Sequence, residues 1–100
     1  MIKVKVEKEK GYFKKISILG HAMYDDYGKD IVCSAVSSIV TTTINGILTI
    51  DKSTITYLAS GKGLTIKVLS NDRVTQSLLK NMLRLLKELS LKYKENIEIQ

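Results

Sequence analysis

The chain opens on an alternation. Ile2, Val4 and Val6 are interleaved with Lys3, Lys5 and Glu7, the period of a strand that buries one face. The charged turn Lys8-Glu9-Lys10-Gly11 follows. Phe13 to Leu19 reads as a second strand, with Ile16 and Ile18 on a shared face. Two such runs joined by a short glycine-containing turn predict an antiparallel hairpin, whose second strand ends at Gly20-His21.

Residues 22–29 form a polar loop, and from Asp30 the period changes. Val32, Val36, Ile39 or Val40, Thr43 and Ile47 recur at steps of three and four, as on one face of a helix. Asp30 is placed to cap that helix, since its carboxylate can accept the unpaired N–H groups of the first turn. Composition argues the other way, because Ser, Thr, Val and Ile crowd residues 31–44 and favour strands. Length decides for the helix, because the run outlasts a typical strand. Ile55 and Tyr57, alternating with Thr54 and Thr56, predict a third strand. Ser60-Gly61-Lys62-Gly63 makes a turn, and Leu64, Ile66 and Val68 line a fourth strand. Ser70, Asn71 and Asp72 are candidate caps for a long helix with an apolar stripe of Leu78, Met82, Leu85 or Leu86, Leu89 and Tyr93. Ile97 and Ile99 add a short last strand. The order ββαββαβ predicts a single α+β domain over residues 1–100, a mostly antiparallel sheet with two helices packed on it.

Composition narrows the setting. The 100 residues are 44% hydrophobic and 26% charged, ordinary for a globular chain. A domain of this size has little stability in reserve, so pairing with a second copy is a plausible way to bury more apolar surface. Lys+Arg 16 against Asp+Glu 10 gives a net charge of +6, which favours acidic or nucleic-acid surroundings. One cysteine forms no intramolecular disulfide, and the N-terminal residues carry no apolar core of signal-peptide length. No stretch is expected to approach the ~20 apolar residues of a membrane helix. The expectation is a cytoplasmic protein without membrane contact.

With Asp30 as cap, Cys33 is the third residue of the first helix, where the positive end of the helix dipole favours thiolate over thiol. The unpaired N–H groups there could also receive the oxyanion of a tetrahedral intermediate. His21, the only histidine, closes a strand that feeds the same helix, so a strand–loop–helix return would bring imidazole to sulfur as a general base and acid. Asp25, Asp26 and Asp30 are candidate orienters of that ring. A lone cysteine beside Val32 and Val36 is more often a small buried hydrophobe, and a lone histidine at a strand end is usually structural. The flanking residues shift the balance.

The string Gly20-His21-Ala22, then Gly28-Lys29-Asp30-Ile31-Val32-Cys33-Ser34-Ala35-Val36-Ser37, resembles the ribosomal-processing cysteine protease family, Prp. That family carries Gly-His-Ala and, after a short loop, Gly-x-Asp-Ile-Val-Cys-x-Ala-Val-Ser. The resemblance implies a cytoplasmic, dimeric cysteine endopeptidase with Cys33 as nucleophile and His21 as general base. Gly20, Asp30 and Ser37 fall on motif positions that would support the site. The loop of Ala22, Met23, Tyr24, Asp25, Asp26, Tyr27 and Gly28 would act as a substrate gate. The substrate it implies is large-subunit ribosomal protein twenty-seven, from which an N-terminal extension is removed. Two features depart from the family. Met23 stands where glycine is common, and Asp25-Asp26 makes the loop more acidic.

No cofactor is implied, and one histidine with one cysteine is too few for a zinc site without carboxylates. Gly61-Lys62-Gly63 lacks the glycines and following helix of a phosphate loop and is read as a hairpin turn. Lys80, Arg84 and Lys87 form a basic stripe on the last helix. Such a stripe is usually a solvated face; in a ribosome-linked protein it also suits weak RNA contact. The alternative function is therefore a non-catalytic ribosome-associated RNA-binding or accessory module, with Cys33 as packing.

Overall fold

The structure is a computed structural model and describes residues 1–20 and 31–100. The first hairpin turns on two residues with positive φ, Lys10 at 53° and Gly11 at 84°. They link β1 (Ile2–Glu9) to β2 (Tyr12–Leu19) in the two-residue geometry whose twist matches that of the strands it joins. Lys8 and Glu9, expected in the turn, instead extend β1 and pair with Phe13 and Tyr12. The register slips between Glu7, opposite Lys15, and Lys8, opposite Phe13, so Lys14 is an extra residue. That bulge turns Phe13 onto the same face as Ile16 and Ile18, which an unbroken alternation would forbid. All three are buried.

The first helix, α1, spans Ile31–Ile50. Its composition favours strands, yet Val32, Val36, Val40, Ile44 and Ile47 form one buried stripe, and burial of that stripe outweighs propensity. The Thr43 and Thr49 hydroxyls donate to the carbonyls of Ile39 and Asn45, four residues back, at 2.8 and 2.7 Å, sharing acceptors with the helix's own amides while satisfying the hydroxyls within the helix. The expectation that no stretch reaches membrane-spanning length is corrected here. The 20 residues of α1 include no charge and are long and apolar enough to span by length and composition. The helical periodicity is legible only as far as Ile47, and Ser and Thr interrupt the apolar run without adding charge.

Strands β3 (Ile55–Ser60) and β4 (Gly63–Val68) form the second hairpin about Gly61-Lys62. Helix α2 (Arg73–Lys92) begins at Asp72, whose carboxylate accepts the Thr75 N–H at 3.1 Å. It buries Thr75, Leu79, Met82 and Leu86, which settles the Leu85-or-Leu86 alternative, since Leu85 is exposed. The last strand, β5 (Ile97–Ile99), lies parallel to β1. The sheet order is β3-β4-β2-β1-β5, with the other pairs antiparallel. This is the ββαββαβ α+β domain that the pattern predicts. Both helices contribute to one core with Ile2, Val4, Ile16, Ile18, Ile66 and Ile97.

Candidate active site

Cys33 is the third residue of α1, in the first turn, where the N–H groups of a helix find no acceptors within it. Its neighbours Val32 and Val36 are buried, 0% and 4% exposed, and fix the rotation of the helix about its axis. Cys33 therefore falls at the margin of the core, partly buried. Ser37, one turn further on, is exposed beside it.

The two side chains open onto a cleft of about 270 Å³. Its opposite wall comes from the ends of three strands, with Ile2 of β1, Gly20 after β2 and Gly63 and Leu64 of β4. Two glycines make that wall possible. Gly20 has φ of 89° and Gly63 of 138°, conformations that residues with a Cβ rarely adopt. A Cβ on Gly20 would collide with the Met1 carbonyl, and one on Gly63 with the Ile18 carbonyl. The Gly20 N–H donates to the Lys62 carbonyl at 3.0 Å, which ties the end of β2 to the second hairpin. The floor continues along α1 through Val40 and Thr41.

Of the residues that the sequence singles out, Cys33, Ser37 and Gly20 thus meet in one cleft. His21, Asp30 and the gate residues Ala22, Met23, Tyr24, Asp25, Asp26, Tyr27 and Gly28 lie outside the described residues. The sequence reading missed the β4 wall. Gly63 was legible only as a turn residue; that it also approaches the β2 backbone depends on a strand pairing that no local pattern announces. The reading of Gly61-Lys62-Gly63 as a hairpin turn matches the pairing of Ser60 with Gly63. Among the described residues no three His, Cys, Asp or Glu side chains converge as a metal site would need.

A helix-borne thiol at the edge of a cleft, facing polar hydroxyls and close-packed backbone, suits nucleophilic attack on an extended chain laid across it. Comparison with known proteins agrees. The family model for the cysteine protease Prp matches residues 1–98. The ribosomal processing cysteine protease Prp of Staphylococcus aureus strain Mu50 is 32% identical over 94 residues, which cover 91% of this chain and 89% of the relative. The crystal structure of the S. aureus protease with a covalently linked product peptide superposes with a TM-score of 0.93 at 27% identity, over 100% of this chain and 98% of that one. The same protease with a substrate peptide gives 0.86 at 26% identity, again over 100% and 98%. A Streptococcus mutans structure gives 0.87 at 25%, over 100% and 92%.

Proposed function

The chain belongs to the cysteine protease Prp family, and from that premise we propose that it is the endopeptidase that removes the N-terminal extension of large-subunit ribosomal protein twenty-seven. The observation that carries the reading is the place of Cys33, in the first turn of α1 on a cleft walled by Gly20 and Gly63. A relative that holds a covalently linked product peptide supports covalent catalysis at such a site.

In this reading His21 takes the Cys33 proton, and the sulfur attacks the scissile carbonyl carbon. The oxyanion is held by N–H groups at the start of α1. Collapse of the tetrahedral intermediate breaks the C–N bond, and the imidazolium returns its proton to the leaving amine. A water deprotonated by His21 then cleaves the thioester and restores the thiol. Ser37 and Gly20 shape the cleft, and Asp30 is assigned a supporting role. Residues 22–28 gate the entry of the peptide.

We place the enzyme in the cytoplasm, where ribosomal proteins are made, and assign it as a homodimer. The uncharged outer face of α1, with Ser34, Ser38, Thr42 and Asn45 exposed, supports close approach of a second copy. Light scattering coupled to size exclusion measures that mass. The central test is incubation of the ribosomal-protein precursor with wild type, Cys33→Ala and His21→Ala, followed by mass spectrometry. Wild type should release the extension, and the variants should lose at least about 1,000-fold in rate. Equal cleavage by wild type and Cys33→Ala, or none by wild type at equimolar enzyme, would sink the proposal.

A further inference from the structure

A second depression lies away from the cysteine. Along β1 the cleft begins at Ile2, whereas the second groove meets Val6 and Lys8; Ile2 and Lys8 stand about 20 Å apart at strand rise. The groove has a volume of about 610 Å³ and an apolar floor of Val6, Phe13, Leu83 and Ile99. Four cationic side chains rim it, Lys80, Arg84 and Lys87 from α2 and Lys8 from β1. No carboxylate side chain is among its lining residues. Among the described residues, the ion pair that forms joins Lys15 to Glu7, and neither lines this groove.

The fold makes this a groove rather than a stripe. The sequence spacing gives Lys80, Arg84 and Lys87 alone, a row of charges on one helix. The extension of β1 through the bulge brings Lys8 to the other bank, with its ammonium 4.8 Å from the centre of the Phe13 ring. Along the helix the three charges are about 6 and 4.5 Å apart at 1.5 Å per residue. A regular polyanion lying in the groove is met from both sides, while half-buried Val6, Leu83 and Ile99 offer apolar surface to sugars and base edges.

We propose that this groove is a docking site for an RNA strand, held by its phosphates. The choice of RNA over other polyanions rests on the ribosomal function proposed above. The charge layout calls for a phosphate backbone, and a protease acting on ribosomal protein works where that backbone is RNA. Binding here would hold the enzyme on its target without occupying the Cys33 cleft.

The test is fluorescence anisotropy with a labelled single-stranded RNA of sixteen nucleotides across a salt series, using the full chain. Four phosphate contacts predict a slope of log affinity against log salt of about −2.8, at about −0.7 per contact on a single strand. K80Q/R84Q/K87Q should bring the slope to about −0.7 and weaken binding at least about 10-fold at low salt. K8Q alone should remove about 0.7 of the slope. K3Q/K5Q/K67Q, an equal charge loss at exposed positions outside the groove, should leave binding within about 2-fold. Equal losses in both triple variants would overturn the groove as a site. So would polyglutamate competing with the RNA at equal chain concentration, which would make the partner an acidic protein. Peptidase activity is read separately through Cys33→Ala, so loss of RNA binding and loss of proteolysis are distinguishable.

Discussion

Gly63→Ala tests whether the wall of the cleft depends on a missing Cβ. The residue has φ of 138° and pairs with Leu19 across the β2–β4 ladder. A Cβ there would meet the Ile18 carbonyl and lie 2.9 Å from the Leu19 Cα. Both are backbone atoms, so no side-chain rotation relieves the contact. The backbone conformation alone costs about 1–3 kcal/mol for a residue with a Cβ, and displacing the end of the ladder adds to it. A total of about 3 kcal/mol lowers the melting temperature of a 100-residue domain by about 12–24 °C. Gly61→Ala is the matched control, since Gly61 has nothing within 4 Å of its Cβ position and no positive φ. It should be neutral or slightly stabilising, by up to about 1 kcal/mol. Melting followed by circular dichroism on the two variants decides the matter, and peptidase activity should fall for Gly63→Ala even well below its melting point. Melting of Gly63→Ala within 2 °C, as an estimate of assay error, of Gly61→Ala would refute the argument.

Gln76 acts as a substitute strand at the β2 bulge, accepting the Phe13 N–H at 2.8 Å and donating to the Phe13 and Ser70 carbonyls at 3.1 and 3.0 Å. Gln76→Ala should destabilise by about 1–3 kcal/mol, read from urea unfolding, with the midpoint lowered and the slope unchanged. Asp72 has its pKa lowered by hydrogen bonds from Ser70 and then from the Thr75 amide. Its folded value lies below its unfolded one, so its contribution is complete above the ordinary carboxylate range and is lost as pH falls through the depressed value. Stability of Asp72→Asn measured against pH should therefore lack that part of the acid-side loss, while wild type retains it.

Much of the fold was legible because the buried positions recur at the right period. The stripe from Val32 to Ile47 identified α1 despite its β-branched composition, and the alternation of Leu64, Ile66 and Val68 identified β4. What was not legible depended on pairing. Phe13 and Ile16 share a face only because Lys14 is an extra residue opposite β1, and nothing local to Lys14 announces a bulge. Leu85 and Leu86 are adjacent on a helix, so spacing could not choose between them before the sheet was in place. In the site, Cys33 could be read from its place in the first helical turn, whereas Ser37 came only from the motif on which the family resemblance rests. Gly63 could not be read, because its role comes from a strand it meets through the sheet. The membrane-length character of α1 was underestimated because hydroxyl side chains interrupt the apolar run without adding charge.

The same packing determines how so small a domain holds a reactive group in place. A helix turns about 100° per residue, so shifting the buried stripe of α1 by one position would carry Cys33 away from the cleft or into the core. Val32 and Val36 prevent that shift, because each fills space against the sheet that a neighbouring Ser or Ala could not. The rotation of the helix that presents the sulfur is thus set by the packing of the residues on either side of it. The opposite wall is fixed differently, by backbone approaching backbone at Gly20 and Gly63 where side chains would intervene. One side of the cleft is therefore sensitive to loss of volume and the other to its gain. That asymmetry separates structural damage from chemical damage. A substitution in either wall should alter stability and activity together, whereas removal of the Cys33 sulfur should abolish activity with little change in stability.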